Sequence, residues 1–493
     1  MHIVRLALLL SLLVVTGRAA TWLAISPDPA LTKALAPLSE RRASQGLNVT
    51  VSAKSVGQAL AELPNRPDYV VLIGDDSLIP AKRGSQYRWL STQSELFAAD
   101  PLFSDLNGDG LPEFPVGRIP ASTPAQLEVV INKIIAYENR ELGTQDLNLP
   151  VWSGTPAYGK LLDETADWLL MSTLDKYAPK WAQPWLITAN PRNTLNAWPT
   201  EQATLFNQQI QRGAAFTAMM GHGNTDLFLS MKRPPGEVPP HGEIVYTNQN
   251  ALTLDDPSKV SPPLVIFACD CGNFAHAEKA SLAETLLLGR GGPVATIAAT
   301  TESHPLTNYY SSIALMQEIS KPDPAGRAGD LWLAAQLSAN SMRRPLIERA
   351  LKNVEGSLDT EINIPKLKRD QTQMYAYLGD PALALALPRP LELKISKRSE
   401  SGDWEWSVTK PGDAVKLIVQ LRPVTKPLRI KPKGADRARS LELFAERNAQ
   451  FAFNPLNEIP ADAEWSGRIK SPGDLRIIAL TDSGLRVASK KLR

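Results

Sequence analysis

The sequence predicts an α/β protein with parallel sheets flanked by helices, followed by a C-terminal β-sandwich. The run DYVVLIGD (68–75) is short, apolar and rich in β-branched residues, which is typical of a buried parallel strand. An amphipathic helix is indicated at 123–140, where apolar residues recur at helical spacing behind Thr123 and Pro124. After Pro388 the composition changes to short predicted strands between turn residues, which favours a separate β module. These strands are WEWSV (404–408), VKLIVQL (415–421), LELFA (441–445), AQFAF (449–453) and LRIIAL (475–480).

These patterns divide the chain into a signal peptide and three folded parts. We predict a signal peptide at 1–20, an α/β subdomain at 21–145, a second α/β subdomain at 146–388 and an immunoglobulin-like β-sandwich at 389–493. Alternating strands and helices imply right-handed parallel crossovers, and sites in such sheets form beyond the carboxyl ends of the strands. In the second subdomain we predict strands at 214–224, 263–270 and 292–301, and helices at 165–178, 201–213 and 281–291.

The N-terminus has the three-part pattern of a secretory signal peptide. His2 and Arg5 precede an apolar run at 6–15, and cleavage is expected near Ala19 or Ala20. A membrane anchor is the alternative, but a bilayer span needs about 20 apolar residues. We therefore expect export through the secretory pathway to a periplasmic, extracellular or cell-surface location, without a transmembrane segment in the mature chain.

The charge balance gives no indication of a strongly charged binding partner. The chain has 53 basic and 51 acidic residues, a net charge of +2. Removing Arg5 and Arg18 with the signal peptide leaves 51 of each. No global field then favours nucleic acid or an acidic membrane, so we expect neither as a partner. The sequence leaves the oligomeric state open.

Both cysteines of the chain, Cys269 and Cys271, lie in LVIFACDCGNFA at 264–275. A disulfide between them would close a very small, strained ring and constrain few residues, so its benefit would be slight. Two thiols without a distant partner also make a weak zinc site. A nucleophilic thiol is the favoured interpretation.

A histidine stands at a matching place in the neighbouring predicted strand. His222 and Cys269 each follow an apolar strand, so a parallel arrangement brings the two residues to a similar height in the sheet. An imidazole can generate the thiolate that a cysteine nucleophile needs. Gly223 lets a backbone N–H approach a substrate closely, as an oxyanion donor must. The alternative is a histidine with a purely structural role.

The residues around this pair resemble the gingipain-type cysteine peptidases, family C25, of the caspase-like clan. The resemblance covers roughly 65–385. It is carried by MMGHGN (219–224), FACDCGNF (267–274), GDGLPEFPVGRIPA (108–121), KIIAYENR (133–140) and YLGDPALAL (377–385).

The resemblance implies a caspase-like core and an exported cysteine endopeptidase with protein or peptide substrates. Such an enzyme works through a thioester and needs no cofactor for catalysis. It implies that Cys269 is the nucleophile, because this residue follows Ala268 and precedes Gly272 by three positions. His222 would be the general base and acid, and the N–H groups of Gly223 and Cys269 would hold the oxyanion. Cys271 stands where the relatives need no cysteine.

One departure from the family pattern keeps alternatives open. The relatives place an acidic residue near the histidine on an earlier strand, but LPVWSGTPAYG (149–159) contains none. A non-proteolytic relative, or a transpeptidase or sorting enzyme on the same scaffold, is therefore the alternative to a peptidase. The intact His-Gly and Ala-Cys pairs favour the enzyme.

Two acidic residues are predicted to bind substrate. Relatives that cut after Arg or Lys carry an aspartate ahead of a helix, and Asp163 holds a comparable place in this chain. The alternative is a helix N-terminal residue that complements the helix dipole. The loop 300–308 should line the same cleft, where Glu302 and His304 would alter what is accepted.

The stretch DLNGDG at 105–110 resembles the first half of a calcium-binding loop. Position twelve would be Val116 rather than glutamate, which excludes an EF-hand. A structural calcium site and a tight turn remain as alternatives. The predicted ligands are Asp105, Asn107 and Asp109, with Asp100 and Glu113 as further oxygen sources.

Overall fold

The structure is a computed structural model of the chain. It describes residues 18–87, 94–155, 160–232, 241–259, 261–349, 363–397, 402–426 and 429–493. Residues 1–17, and with them most of the predicted signal peptide, lie outside this description. Within the described ranges, no helix combines the length and the apolar composition that a bilayer crossing requires.

The α/β part is built from short strands and helices in alternation. In residues 18–155 the elements are β1 (Thr21–Ile25), α1 (Pro29–Ala34), α2 (Ala36–Ser44), β2 (Asn48–Ser52), α3 (Val56–Glu62), β3 (Tyr69–Ile73), β4 (Arg83–Tyr87), β5 (Ser94–Ala98), β6 (Val116–Ile119), α4 (Pro124–Asn139) and β7 (Asn148–Ser153). In residues 160–378 they are α5 (Lys160–Tyr177), β8 (Gln183–Thr188), α6 (Gln202–Ile210), β9 (Thr217–Met220), β10 (His222–Asn224), β11 (Leu227–Lys232), β12 (His241–Thr247), α7 (Asn248–Leu252), β13 (Leu264–Phe267), α8 (Leu282–Leu288), β14 (Thr296–Ala299), α9 (Pro305–Ile319), α10 (Ala328–Ser341), α11 (Ile364–Met374) and β15 (Tyr375–Leu378).

Strands from both predicted α/β subdomains belong to one continuous sheet. Among the described residues the order is β2-β1-β3-β6-β15-β14-β13-β9-β7-β8. Neighbours run parallel, except that β15 lies antiparallel to β14. The late strand β15 joins the two halves, because it also pairs with β6 through Leu378 and Arg118. The prediction of parallel strands flanked by helices is thus confirmed, and the two predicted subdomains share one sheet.

The central strands have the burial that the sequence predicts. Every residue of β3, β13 and β14 is buried, as expected for parallel strands with helices on both faces. Helix α4 begins after Thr123, whose side chain accepts a hydrogen bond from the N–H of Gln126, with Pro124 as the first helical residue. Its buried residues include the apolar stripe Leu127, Val130, Ile131 and Ile134.

A buried ionic network ties the N-terminal helices to the far end of the chain's α/β part. Arg42 is fully buried and bonds Asp380 and Glu138, each at 2.7 Å. Asp380 also accepts from the indole N–H of Trp22 at 3.0 Å, and Glu138 from the N–H of Ala384 at 2.9 Å. The motifs KIIAYENR and YLGDPALAL therefore contribute the two carboxylates that neutralise one buried guanidinium.

The C-terminal part contains two sheets around one apolar cluster. Its elements are β16 (Arg389–Pro390), β17 (Leu393–Lys397), β18 (Trp404–Val408), β19 (Ala414–Pro423), α12 (Arg437–Ala449), β20 (Asn454–Pro460), β21 (Ser466–Ile469), β22 (Gly473–Thr481) and β23 (Gly484–Leu492). The described sheets have the orders β16-β23-β22-β19-β20 and β17-β18-β21, and both contribute to a cluster that includes Trp406, Leu417 and Leu475. The predicted immunoglobulin-like topology stays a prediction.

Two predicted strands of this part are wrong. AQFAF at 449–453 runs from the last residue of helix α12 to the residue before β20 and forms no strand. LELFA at 441–445 lies inside α12, which begins after Asp436 as its N-cap. Leu443 and Phe444 are buried together with Asn448, so the apolar residues follow a helical rather than an alternating pattern. The short length of the apolar run does not distinguish the two periods.

The C-terminal part packs against the edge of the central sheet. Ile418 and Ile478 lie on the face of their sheet opposite to the Trp406 cluster. There they pack against Leu147 and Trp181 of the α/β part. The side-chain amide of Asn448 accepts from the N–H of Leu186 at 2.8 Å and donates to its C=O at 3.1 Å. Helix α12 thereby satisfies backbone groups on the edge strand β8, which would otherwise be open to pairing with another chain.

We expect Arg42→Met to destabilise the protein by about 3–5 kcal/mol, because Asp380 and Glu138 would keep buried charges without their partner. Urea unfolding measures this loss. Arg41→Met is the matched control, since Arg41 also bonds Glu138 but its side chain is 27% exposed. It should cost about 1 kcal/mol or less. Equal effects of the two changes would contradict the assigned role of Arg42.

Candidate active site

Cys269 lies two residues beyond the buried strand β13, on a sharp turn. The N–H of Cys271 donates to the C=O of Cys269 at 2.7 Å. The residue between them, Asp270, has φ of 56°, the one positive φ of a non-glycine residue in the described ranges. Such a conformation costs about 1–3 kcal/mol and persists only where the surroundings enforce it.

The neighbouring strand β14 and the loop after it provide that enforcement. The N–H of Asp270 donates to the C=O of Thr301 at 3.0 Å, and the N–H of Gly272 to the C=O of Ala299 at 2.8 Å. A Cβ at Gly272 would lie 2.5 Å from the carbonyl oxygen of Ala298. The glycine of FACDCGNF is therefore needed for the close approach of two backbones.

The buried Arg118 packs against the chain that follows the same turn. The guanidinium of Arg118 stacks on the ring of Phe274 at 4.6 Å, and its Nε and Nη2 bond Asp100 at 2.7 and 2.9 Å. Arg118 also donates to the C=O of Gly74 at 2.9 Å. The motif around GRIPA and the motif around Cys269 are thus one packed unit, held by a cation–π contact and a bidentate ion pair.

The thiol of Cys269 is largely desolvated. The N–H of Ser303 donates to its Sγ at 3.3 Å, and the Sγ lies 3.6 Å from the Ser303 carbonyl oxygen. Burial raises the pKa of Cys269 to about 11, and the charges of Asp270 and Glu302 add to this effect. The resting thiol is therefore protonated at neutral pH, and a base must remove its proton during reaction.

His222 lies in the short strand β10 of a three-stranded antiparallel sheet. It is paired with Leu229, which in turn is opposite Ile244 on β12. Residues directly opposite share a face, and Ile244 is 58% exposed, so His222 lies on the outer face of this sheet. The inner face packs on the core through aromatic contacts among Trp152, Phe228 and Tyr246.

Gly223 brings β10 into contact with the nucleophile turn. A Cβ at this position would overlap Cys271 Sγ and would lie 2.7 Å from the carbonyl oxygen of Cys269. The backbone next to His222 therefore lies against the Cys269 peptide. The assignment of His222 as base and of the Gly223 N–H as oxyanion donor stays a prediction.

Of the two acidic residues predicted to bind substrate, the structure places Glu302 near the nucleophile. Glu302 lies close enough to Cys269 to affect the pKa of the thiol. Asp163 is the fourth residue of α5, but its side chain lies outside the described residues. His304, expected in the cleft, is 2% exposed, and its Nδ1 accepts from the N–H of Leu306 at 3.1 Å as the N-cap of α9.

The end of strand β7 lies next to the start of β10. Strand β7 ends at Ser153, and a Cβ at Gly154 would lie 3.3 Å from the Cα of Gly221. Gly154 thus faces the residue before His222. The residues of 149–159 that the structure describes, 149–155, contain no acidic side chain.

The candidate calcium loop is folded on itself. Both oxygens of Asp105 accept backbone N–H groups, from Gly108 at 2.8 Å and from Gly110 at 3.0 Å. Asn107 and Asp109 make similar local turns. The suggested helpers are committed to other partners, Asp100 to Arg118 and Glu113 to Arg66. In the described ranges no three His, Cys, Asp or Glu side chains are arranged to hold an ion. Calcium binding stays a prediction.

Comparison with known proteins identifies the class. Cys269 lies beyond the carboxyl end of β13, and His222 lies beyond the end of the parallel neighbour β9. The family model for peptidase family C25 matches residues 16–386, more than half of the chain. The protein therefore belongs to peptidase family C25, whose members are cysteine peptidases, and the predicted resemblance is confirmed.

Solved structures share the fold at low sequence identity. "Structure of Protease" has a TM-score of 0.55 at 13% identity and covers 97% of this chain and 98% of its own. The complex of Porphyromonas gingivalis RgpB pro- and mature domains has 0.54 at 14%, covering 96% and 100%. The Arg-specific cysteine proteinase gingipain R has 0.53 at 15%, covering 96% and 98%. No curated protein sequence matches significantly.

Three contributors to the site were missed from the sequence. Ser303 contacts the nucleophile, Arg118 supports its turn, and Cys271 packs beneath Gly223. The position of Arg118 inside a family motif was a usable signal. Ser303 lies in the loop 300–308 that was predicted to line the cleft, but its contact with the thiol, like that of Cys271 with Gly223, depends on segments distant in sequence.

We expect Glu302→Gln to accelerate the alkylation of Cys269 by iodoacetamide at pH 8, because removal of a negative charge lowers the pKa of the thiol. The gain should be roughly threefold, the effect of a single charge in water-like surroundings. Alkylation of the parent protein should still rise between pH 8 and 10, since its thiol has a pKa of about 11. Peptide mass spectrometry locates the adduct.

Glu128→Gln, an exposed change on α4, is the charge control and should leave the alkylation rate unaltered. A Glu302→Gln rate equal to that of this control would show that Glu302 does not act on the thiol.

Proposed function

We propose that this protein is an exported cysteine endopeptidase of gingipain type. The observation that carries the proposal is the contact of Gly223 with the peptide of Cys269, which places a His-Gly strand against a thiol at the end of a buried parallel strand. A scaffold that only binds partners has no need of both features. Export is supported by the signal-like N-terminus, and the final compartment is part of the proposal.

The proposed reaction begins with a neutral thiol. His222 accepts the proton of Cys269 as the sulfur attacks the scissile carbonyl carbon, and the N–H groups of Gly223 and Cys269 stabilise the oxyanion. The amine leaves with the proton from His222, and a thioester remains. Water, deprotonated by the same imidazole, then releases the acid and restores the thiol. A raised thiol pKa fits this order, because charge separation occurs only with substrate present.

The charges near the nucleophile favour a basic substrate. Asp270 and Glu302 both add negative potential at Cys269. A cationic side chain next to the scissile bond would gain from these charges, whereas an acidic one would be repelled. Together with the sequence position of Asp163, this supports cleavage after Arg or Lys.

Transpeptidation or sorting is the second candidate. The sequence keeps this alternative open, because 149–159 lacks the acidic residue that the family pattern places on that strand. A strong amine nucleophile, rather than water, would then resolve the thioester.

We expect an arginyl or lysyl acyloxymethyl ketone to label the mature protein at Cys269, as mapped by peptide mass spectrometry. Fluorogenic peptides that vary the residue before the scissile bond should be cut fastest after Arg or Lys. Adding an amine acceptor distinguishes transfer from hydrolysis by product mass. Cys269→Ala and His222→Ala should each abolish turnover, because one removes the nucleophile and the other its base.

His276→Ala is the matched control for His222→Ala, since His276 is exposed and lies seven residues beyond Cys269. It should retain parental activity. Absence of labelling by every peptidyl electrophile, with the protein folded, would overturn the enzyme proposal. Equal cleavage of substrates with and without a basic residue would remove Asp163 and Glu302 from the specificity site.

A further inference from the structure

We propose that Cys271 is a positioning residue that sets the distance between the His222–Gly223 strand and the nucleophile Cys269. The inference rests on the proposed function and assigns a role to the second thiol of the chain. Cys271 would not contact substrate. It acts through the backbone of β10 on one side and through the Cys269 turn on the other.

The thiol of Cys271 is completely buried and makes two contacts with the turn that joins β10 to β11. Its Sγ lies 3.5 Å from the carbonyl oxygen of Leu227, to which it can donate. The backbone N–H of Asn224 donates to the same sulfur. One side chain therefore bonds both ends of the turn that follows Gly223.

The backbone of Cys271 is part of the nucleophile turn, which packs against β10 from the other side. Its N–H closes the turn onto the C=O of Cys269 at 2.7 Å, and its C=O accepts from the N–H of Ala283 at 2.9 Å. The N–H of Leu282, the first residue of α8, donates to the C=O of Thr225 at 2.7 Å. The first turn of α8 thus holds the nucleophile turn and the β10–β11 turn together.

Gly223 and Cys271 are complementary in size. The sulfur occupies the space into which a Cβ at Gly223 would project, so the glycine and the thiol together fill one gap between two backbones. A smaller residue at 271 would leave a void beneath the predicted oxyanion donor. Misplacement of a catalytic group by about 1 Å can cost on the order of 100-fold in rate.

We expect Cys271→Ala to lower kcat by roughly 10- to 100-fold while KM changes little, because the cleft residues are not on β10. Cys271→Ser should recover part of the loss, since its hydroxyl can still donate to Leu227 and accept from Asn224. Turnover of an arginyl or lysyl peptide measures kcat and KM. Amide hydrogen exchange over 221–228 reports the strand without any need for activity, and it should be faster in Cys271→Ala than in Cys271→Ser.

Val130→Ala is the matched control, a buried truncation on α4 that lies outside the site. It should lower the unfolding midpoint yet leave kcat and the exchange of 221–228 unchanged. The proposal is overturned if Cys271→Ala keeps parental kcat, or if kcat falls without faster exchange. A parent protein that cleaves no peptide would refute the proposed function instead, and the exchange comparison alone would then decide whether Cys271 holds the strand.

Discussion

The close packing of β10 on the nucleophile turn is the constraint on which the candidate site depends. Gly223 lies against the Cys269 peptide and the Cys271 sulfur with no space for a side chain. Two backbones that approach this closely must both be fixed from elsewhere. Strand β14 holds one through Asp270 and Gly272, and the aromatic contacts of Phe228 hold the other.

The continuous sheet explains how distant parts of the chain support that contact. Strand β15 joins the N-terminal strands to β14, and Arg118 of β6 reaches Phe274 beyond the nucleophile. The buried Arg42 network fixes the loop after β15 against the N-terminal helices. The family motifs near 118, 138 and 380 are thus structural supports, whose charges are neutralised inside the protein because isolated buried ions are costly.

The electrostatics of the site favour a thiol that stays neutral until a base removes its proton. Burial and nearby carboxylates raise the pKa of Cys269, so a base must take its proton when substrate arrives. In the proposed reaction that base is His222 on β10. The geometry of β10, and with it the packing of Cys271, would then influence the rate.

The sequence by itself determined the α/β class, the central strands, the family and the candidate pair Cys269 and His222. Apolar periodicity and glycine-rich motifs are local, so they can be recognised along the chain. Only the tertiary structure decided that β15 joins the two halves of the sheet, that 441–445 is helical, and that Cys271 lies beneath Gly223. These features depend on which strands become neighbours, and long-range packing sets that choice.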